Sequence, residues 1–358
     1  SGTSDAEQVT VRINGVETDA PLTDGTFAMD VTLPNIANRI VVTATGANGV
    51  MAVGRHTVNV YGTKIGELTD PTGDDNGPGS YTYPTDGAFN SGSFDLTKFQ
   101  VFDDGDTIRF VTSVASDIQK PWGGNGMSTQ RVNIYLRDGE STTTTPLLPG
   151  TNMSASGAWT HAIVAVGRDQ EAQFGNAIFG SDLERISDVA LDVDPSGHII
   201  TSVPASALAG IDLQNAQYQV SMLSHAELGE GIGNVRPVYS AECAQGLNGC
   251  PSWLGAYRIG GGAGEPSDEL ESKDTDTSDS NALDIISGEH DQASVMDWHA
   301  GAVVVPYVSL ADVTPPNDAT PVPTADGNVF FADDWAQSVA RTAMKIATAD
   351  EILVGDFN

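Results

Sequence analysis

Three observations predict an almost entirely β protein with a small antiparallel sandwich, a larger β-sandwich with long loops, and a short mixed C-terminal tail. Short alternating apolar and polar runs, punctuated by Asn-Gly turns, fill the first sixty residues. Strand-like runs then continue between long loops rich in Gly, Asp, Asn and Pro. A helical period is nearly missing throughout, so nothing competes with the alternation of two that half-buried strands require.

The expected boundaries follow those textures: a first domain at 1–62, a second at 63–311, a Pro-rich linker at 312–326 and a tail at 327–358. In the first domain, strands are expected at Val9 to Ile13, Thr26 to Leu33, Arg39 to Ala44 and His56 to Tyr61. Asn14-Gly15 and Asn48-Gly49 mark turns between them, at the spacing of a small sandwich. Ile40, Val42 and Ala44 should share one face of this strand, with Val41 and Thr43 on the other.

In the second domain the expected strands are Phe99 to Phe102, Thr107 to Val114, Gln130 to Tyr135, Ala162 to Val166, Asp188 to Val193, Ile199 to Pro204, Tyr218 to Ser224 and Ala302 to Leu310. Only Ala205 to Ala209 hints at a helical turn. Ordered loops beyond about 12–15 residues usually carry a task, so the loops here are read as functional. Glu265 to Asp284 is an acidic, Ser/Thr-rich loop. The tail is expected to hold a strand at Asn328 to Ala332, a short helix with Trp335 and Val339, and a strand at Glu351 to Val354.

Composition excludes several functions. Asp and Glu number 48 against 16 Lys and Arg, a formal charge of -32, which repels nucleic acid and anionic membranes alike. Such a chain suits high salt, where screening relieves self-repulsion; an ordinary acidic extracellular protein whose carboxylates hold calcium is the equal alternative. No apolar stretch reaches the roughly 20 residues that span a bilayer. The chain starts at Ser1 without a Met, as a trimmed product would. Cys243 and Cys250, seven apart with two glycines between them, are expected to form a local disulfide outside the cell, with two free thiols as the alternative.

The segment from Glu67 to Asp86, with Asp70-Pro71, Asp74-Asp75-Asn76-Gly77-Pro78-Gly79 and Tyr81-Thr82-Tyr83-Pro84, is too particular for composition to explain. It resembles the start of the C-terminal module of bacterial glucodextranases and related amylopullulanases, a carbohydrate-binding-like sandwich likened to surface-layer attachment domains. The resemblance continues through Phe94 to Phe99, Pro121-Trp122-Gly123-Gly124, Asn133-Ile134-Tyr135, Leu147-Leu148-Pro149-Gly150, Ala282 to Ile286 and Val303 to Pro306, covering roughly residues 64–310. The first domain, with Asn14 to Val16, Gly25 to Phe27 and Arg39 to Ala44, is similar to the immunoglobulin-like domain that precedes that module. The resemblance thus implies an immunoglobulin-like sandwich followed by a jelly-roll-like one. The catalytic (α/α)₆ region of those enzymes has no counterpart here, so hydrolysis is not implied.

Asp70, Asp74, Asp75 and Asp95 are the expected metal ligands. Calcium takes six to eight oxygens from carboxylates and carbonyls on flexible loops, and four acids around a glycine-rich turn can converge on one; a turn held by Asp side chains is the alternative. Asp192 to Ile199 mimics the start of an EF-hand loop, but Val203 stands where the closing Glu belongs, so a turn between two strands is expected instead. Asp274, Asp276, Ser278 and Asp279 likewise read as a solvated loop.

For sugar binding, flat aromatics beside polar groups are needed, because a pyranose offers an apolar face and a ring of hydroxyls. Trp122, Trp253 and Tyr257 lie in Gly/Pro-rich loops and are the candidates, with packing as the competing role; Trp159 and Trp298 are read as core. Histidines form no His-x-x-x-His or Glu-x-x-His pattern, and Gly-x-Ser-x-Gly does not occur. No catalytic residues are therefore assigned, and the chain is read as a non-enzyme. The expected function is a secreted or cell-surface module, steadied by calcium, that binds polysaccharide, an α-glucan in the first instance, or a cell-surface glycan. The alternative is a self-associating subunit of a surface layer, sheath or filament, assembled by strand complementation through the tail.

Overall fold

The computed structural model describes residues 1–168, 173–194, 197–226, 232–240, 255–264 and 278–312. The expected disulfide at Cys243 and Cys250, Trp253, most of the acidic loop, almost all of the linker and the whole tail lie outside the described residues. The chain forms two units, one containing Ser1–Lys64 and the other Ile65–Val313. Among the described residues it is nearly all β, as expected.

In the first unit, Val16–Ala20, Gln8–Ile13, Ala37–Thr45 and Met51–Asn59 lie side by side in that order as an antiparallel sheet. Asn14 and Gly15 both take positive φ, 49° and 94°, the conformation a two-residue hairpin needs to match strand twist. Gly2–Thr3, Thr26–Phe27 and Leu22–Thr23 form a second, smaller sheet. Phe27 and Leu22 from it pack with Val9, Val11, Ile40, Val42 and Ala44, so those three residues of the Arg39 to Ala44 segment do share a face, while Val41 on the other face is buried as well. The expected strand at Thr26 to Leu33 is shorter than its pattern. Beyond Phe27 the chain is irregular, yet Met29, Val31 and Leu33 still reach the core. Burial preserves the alternation there without a ladder of hydrogen bonds.

The second unit is built on two sheets. One runs Ala190–Asp194, His198–Pro204, Thr107–Val114, Leu96–Asp103, Thr63–Thr69, Ala311–Asp312; the other runs Arg185–Asp188, Ala177–Gly180, His161–Val166, Gln130–Arg137, Gln217–Ser224, Ala282–Ile285, with Val308–Ser309 also on Gln217–Ser224. Phe99, Val101, Phe110, Ile199 and Val203 from the first sheet meet Val132, Ile134, Ile163, Val220 and Met222 from the second in one core. The opposite face of the second sheet has its own core, in which Tyr135, Val164, Val166 and Leu223 lie under Leu148, Trp159, Phe174 and Met296.

Two expected strands are divided. The segment at Asp188 to Val193 ends one strand at Asp188 and begins another at Ala190 in the other sheet. Val189 is buried between them in the main core. Ala302 to Leu310 becomes Val304–Val305 and Val308–Ser309, separated by Pro306, which cannot donate to a ladder. Ala205–Leu208 is a single 3₁₀ turn. The one described α-turn, Gln292–Val295, is capped by Asp291, whose carboxylate accepts from the Ser294 amide at 3.0 Å. Ala190–Asp194 and His198–Pro204 pair as a hairpin, so the EF-hand-like segment joins two strands.

Candidate functional site

The site grows from three strand ends. Asp70 follows Thr63–Thr69 and is tied to the neighbouring strand by its amide, which donates to Thr97 O at 3.0 Å. Asp95 immediately precedes Leu96–Asp103, and Asp284 lies within Ala282–Ile285 of the other sheet. The loop carrying Asp74 and Asp75 is pinned onto that strand by Gly77 N, which donates to Leu283 O at 2.8 Å. Gln292 clamps the same loop: its amide nitrogen donates to Asp74 O while its Oε1 accepts from Ile285 N at 2.9 Å. The two sheets thereby bring acids from distant parts of the chain to one place.

Oxygens of Asp70, Asp74 and Asp284 lie within 4.8 Å of one another. Asp284 is fully buried and Asp95 nearly so. One oxygen of each is satisfied: Asp284 accepts from Leu96 N at 2.6 Å, and Asp95 accepts from Gly73 N at 2.8 Å. Five other carboxylate oxygens, both of Asp70 and one each of Asp74, Asp95 and Asp284, are buried with no hydrogen-bond partner. Buried polar atoms without a partner are rare and costly. Burial, then the neighbouring Asp74 and Asp95, pushes the Asp70 carboxyl up to about 8. The Ser287 amide lowers it only in part and forms no hydrogen bond with it. Burial also raises Asp95 to about 6 and raises Asp74, and it holds Asp284 well above the usual range, with Asp70, Asp74 and Asp95 adding to the effect.

An all-oxygen set of crowded carboxylates, with buried oxygens that no hydrogen bond uses, fits a hard divalent cation and calcium first among them. Of the four acids the sequence singled out, the structure puts Asp70 and Asp74 in the cluster and Asp95 at its border. Asp75 lies beside them with one oxygen engaged, accepting from the Tyr83 hydroxyl at 2.8 Å. Asp284 escaped sequence reasoning. Its signal was a lone acid in the otherwise apolar run Ala-Leu-Asp-Ile-Ile, a pattern that places a carboxylate where water does not reach.

The loop has no room for a side chain at one of its glycines. Gly77 has φ +60°, and a Cβ there would run into the Tyr81 ring. That ring is buried and fixed by its hydroxyl, which donates to Ser280 O at 2.5 Å. Gly77→Ala is therefore expected to cost about 1–2 kcal/mol for left-handed backbone and a further ~1–3 kcal/mol for overpacking. Thermal melts would show it as a loss of several degrees, and an unchanged melt would contradict the packing.

The aromatic candidates come together in part. Trp122 and Tyr257 are both half-buried, Trp122 against the main core, with their rings 5.8 Å apart and inclined by 58°. Phe89 backs Trp122 edge-on at 5.5 Å, stacks on Phe94 at 6.1 Å, and carries the Arg236 guanidinium 5.4 Å from its ring centre. Phe94 in turn touches Tyr83 at 5.6 Å, the residue that bonds Asp75. A continuous line of rings thus joins the acidic loop to the Trp122 and Tyr257 pair. Gly124 makes the Trp122 turn possible, with φ +106° and backbone oxygens packed where a side chain would go. Trp159 is core, donating to Pro146 O at 3.0 Å, and Trp298 packs partly buried against the second core with His299 stacked on it at 3.7 Å.

Fold and site together define a β-sandwich module with an acidic, oxygen-lined centre. Residues 65–296 match the family described as the C-terminal binding-module, SLH-like, of glucodextranase. That match takes in well over half of the chain, and the chain belongs to this family. No curated protein matches it. Among the described residues, no helix is long and apolar enough to cross a membrane.

Proposed function

We propose that this chain is an extracellular, non-catalytic module that binds a polysaccharide, an α-glucan first, or a glycan of the cell surface, and that calcium braces its binding loops. The family's description as a binding module supports the class, and its surface-layer likeness supports the cell surface as the location. The single observation that supports the residue assignment is the half-buried Trp122 and Tyr257 pair on loops, backed by the buried Phe89 ring. Two inclined rings form a shallow angle into which the apolar face of a pyranose fits, with polar groups nearby for its hydroxyls. Calcium would be held by Asp70, Asp74 and Asp284, with Asp95 alongside, and its role here is structural: it neutralises carboxylates that otherwise repel and fixes the loop that leads to the rings.

Isothermal titration with pullulan, starch and dextran tests the reading. Trp122→Ala is expected to weaken binding by about 30-fold or more, the loss typical of a central aromatic anchor, while its melting temperature falls far less than that of a core variant. Absence of heat at millimolar glucan and with purified cell-wall glycan would remove the glycan-binding function.

A further inference from the structure

A second buried charge, remote in chemistry from the acidic centre, is Arg131. It lies in Gln130–Arg137, where every residue from Gln130 to Leu136 is buried because cores cover both faces of the strand. Alternation puts Arg131, Asn133 and Tyr135 on the side of the second core. Two of the segments that carry the family resemblance, Asn133 to Tyr135 and Leu147 to Gly150, meet here.

The hydrogen bonds of this cluster leave donors over. Arg131 Nε donates to Asn133 Oδ1 at 3.0 Å and Nη1 donates to Gly233 O at 2.8 Å. Asn133 Nδ2 and Leu148 N both donate to the Tyr135 hydroxyl oxygen, each at 3.2 Å. Arg131 Nη2 is buried with no partner. On the adjacent strand, Val166 is the cross-strand neighbour of Arg131, and its amide donates to Asn176 Oδ1 at 2.6 Å. The Nδ2 of that same Asn176 is a second buried donor with no partner.

Charge points the same way as the donors. Burial draws the guanidinium down to about 10, so it stays charged at neutral pH, and among the described residues the one ionisable group acting on it is the Tyr135 phenol. Among the described residues no carboxylate pairs with Arg131. An uncompensated buried cation is disfavoured by several kcal/mol in real proteins. A water molecule could accept from both spare donors but would then need acceptors for its own two protons and would leave the charge unbalanced.

We propose that Arg131 Nη2 and Asn176 Nδ2 form a buried site for a small monovalent anion, a halide such as chloride. A single negative charge balances a single guanidinium, and a spherical ion takes several N–H donors without bringing protons of its own. In a chain with so large an excess of acids, a specific anion here would make the sandwich respond to chloride itself as well as to ionic strength.

The test uses the full chain in chelator, which silences any calcium response, with sodium chloride exchanged for sodium gluconate at constant ionic strength. The melting temperature is expected to rise by roughly 3–5 °C per tenfold increase in chloride above its dissociation constant. Arg131→Met should flatten that slope. Asn176→Asp supplies a carboxylate to the proposed site while its other oxygen still accepts from Val166 N; it should abolish the slope and raise the melt in gluconate. Crystals grown in bromide should show an anomalous peak within hydrogen-bond distance of Arg131 Nη2, a readout that stands even where Arg131→Met fails to fold. A melt indifferent to chloride at fixed ionic strength, a wild-type slope surviving in both variants, or crystals without the bromide peak would each overturn the site.

Discussion

Calcium added to the chelated chain at neutral pH is expected to raise the melting temperature of the Ile65–Val313 unit by about 5–10 °C once its concentration is roughly a hundredfold above its dissociation constant. The reason is the crowding of Asp70, Asp74, Asp95 and Asp284, five of whose oxygens are buried without a partner. Ionising them without a cation places like charges in a medium that screens them poorly. Asp284→Asn separates this account from an ordinary polar cluster, because it should act in opposite directions in the two conditions. In chelator the asparagine oxygen still accepts from Leu96 N, and one of the crowded, mutually repelling acids is gone, so the variant should equal or exceed the parent. With calcium present it should lose most of the gain. Equal melts with and without calcium in the parent chain would exclude the metal centre.

The same cluster sets a pH dependence. Asp70 and Asp95 hold their protons more tightly folded than unfolded, near 8 and 6 against an ordinary 3.8. The folded state therefore binds more protons over that range, and stability falls as pH rises. In chelator, melting temperatures should be highest near pH 4 and decline through about 6 and about 8. Calcium should reverse the trend above neutrality, since the ion binds the ionised form. A chelated protein that gains stability between pH 5 and 8 would contradict the burial of these groups.

The second large effect lies in the core between the two sheets. Phe99 is fully buried on Leu96–Asp103, with Phe110 at 6.0 Å on its own sheet and Tyr218 at 5.5 Å on the opposite one. Phe99→Ala is expected to remove about 3–5 kcal/mol of stability, because rigid neighbours from two sheets cannot collapse into the space. Denaturant titration should show the midpoint shift without a change in slope. A loss under about 1 kcal/mol would mean that the sheets do not share this core.

Some of this was legible in local sequence and some was not. The Val9 to Ile13 segment alternates because one face is buried and the other more exposed, and the structure keeps this, whereas in Arg39 to Ala44 Val41 on the second face is buried as well. The Gln130–Arg137 strand shows a mixed pattern, since Arg131, Asn133 and Tyr135 look like a solvent face until a second core is laid over them. Asp188 to Val193 reads as one strand because a change of sheet at Val189 leaves no mark on propensity. Trp122 and Tyr257 could be named as loop aromatics from their glycine-rich surroundings, but that they lie 5.8 Å apart could not.

By itself the sequence determined the β class, the sandwich pattern of short alternating strands and the acidic turn from Asp70 to Asp75, because alternation and turn chemistry are properties of neighbouring residues. Only the tertiary structure decided that Asp284, 188 residues from the Leu96 amide it accepts from, completes the acid cluster. It alone showed that Arg131 is enclosed with donors and no carboxylate among the described residues. Both depend on desolvation, which is set by what packs over a residue and leaves no trace in the order of the residues beside it.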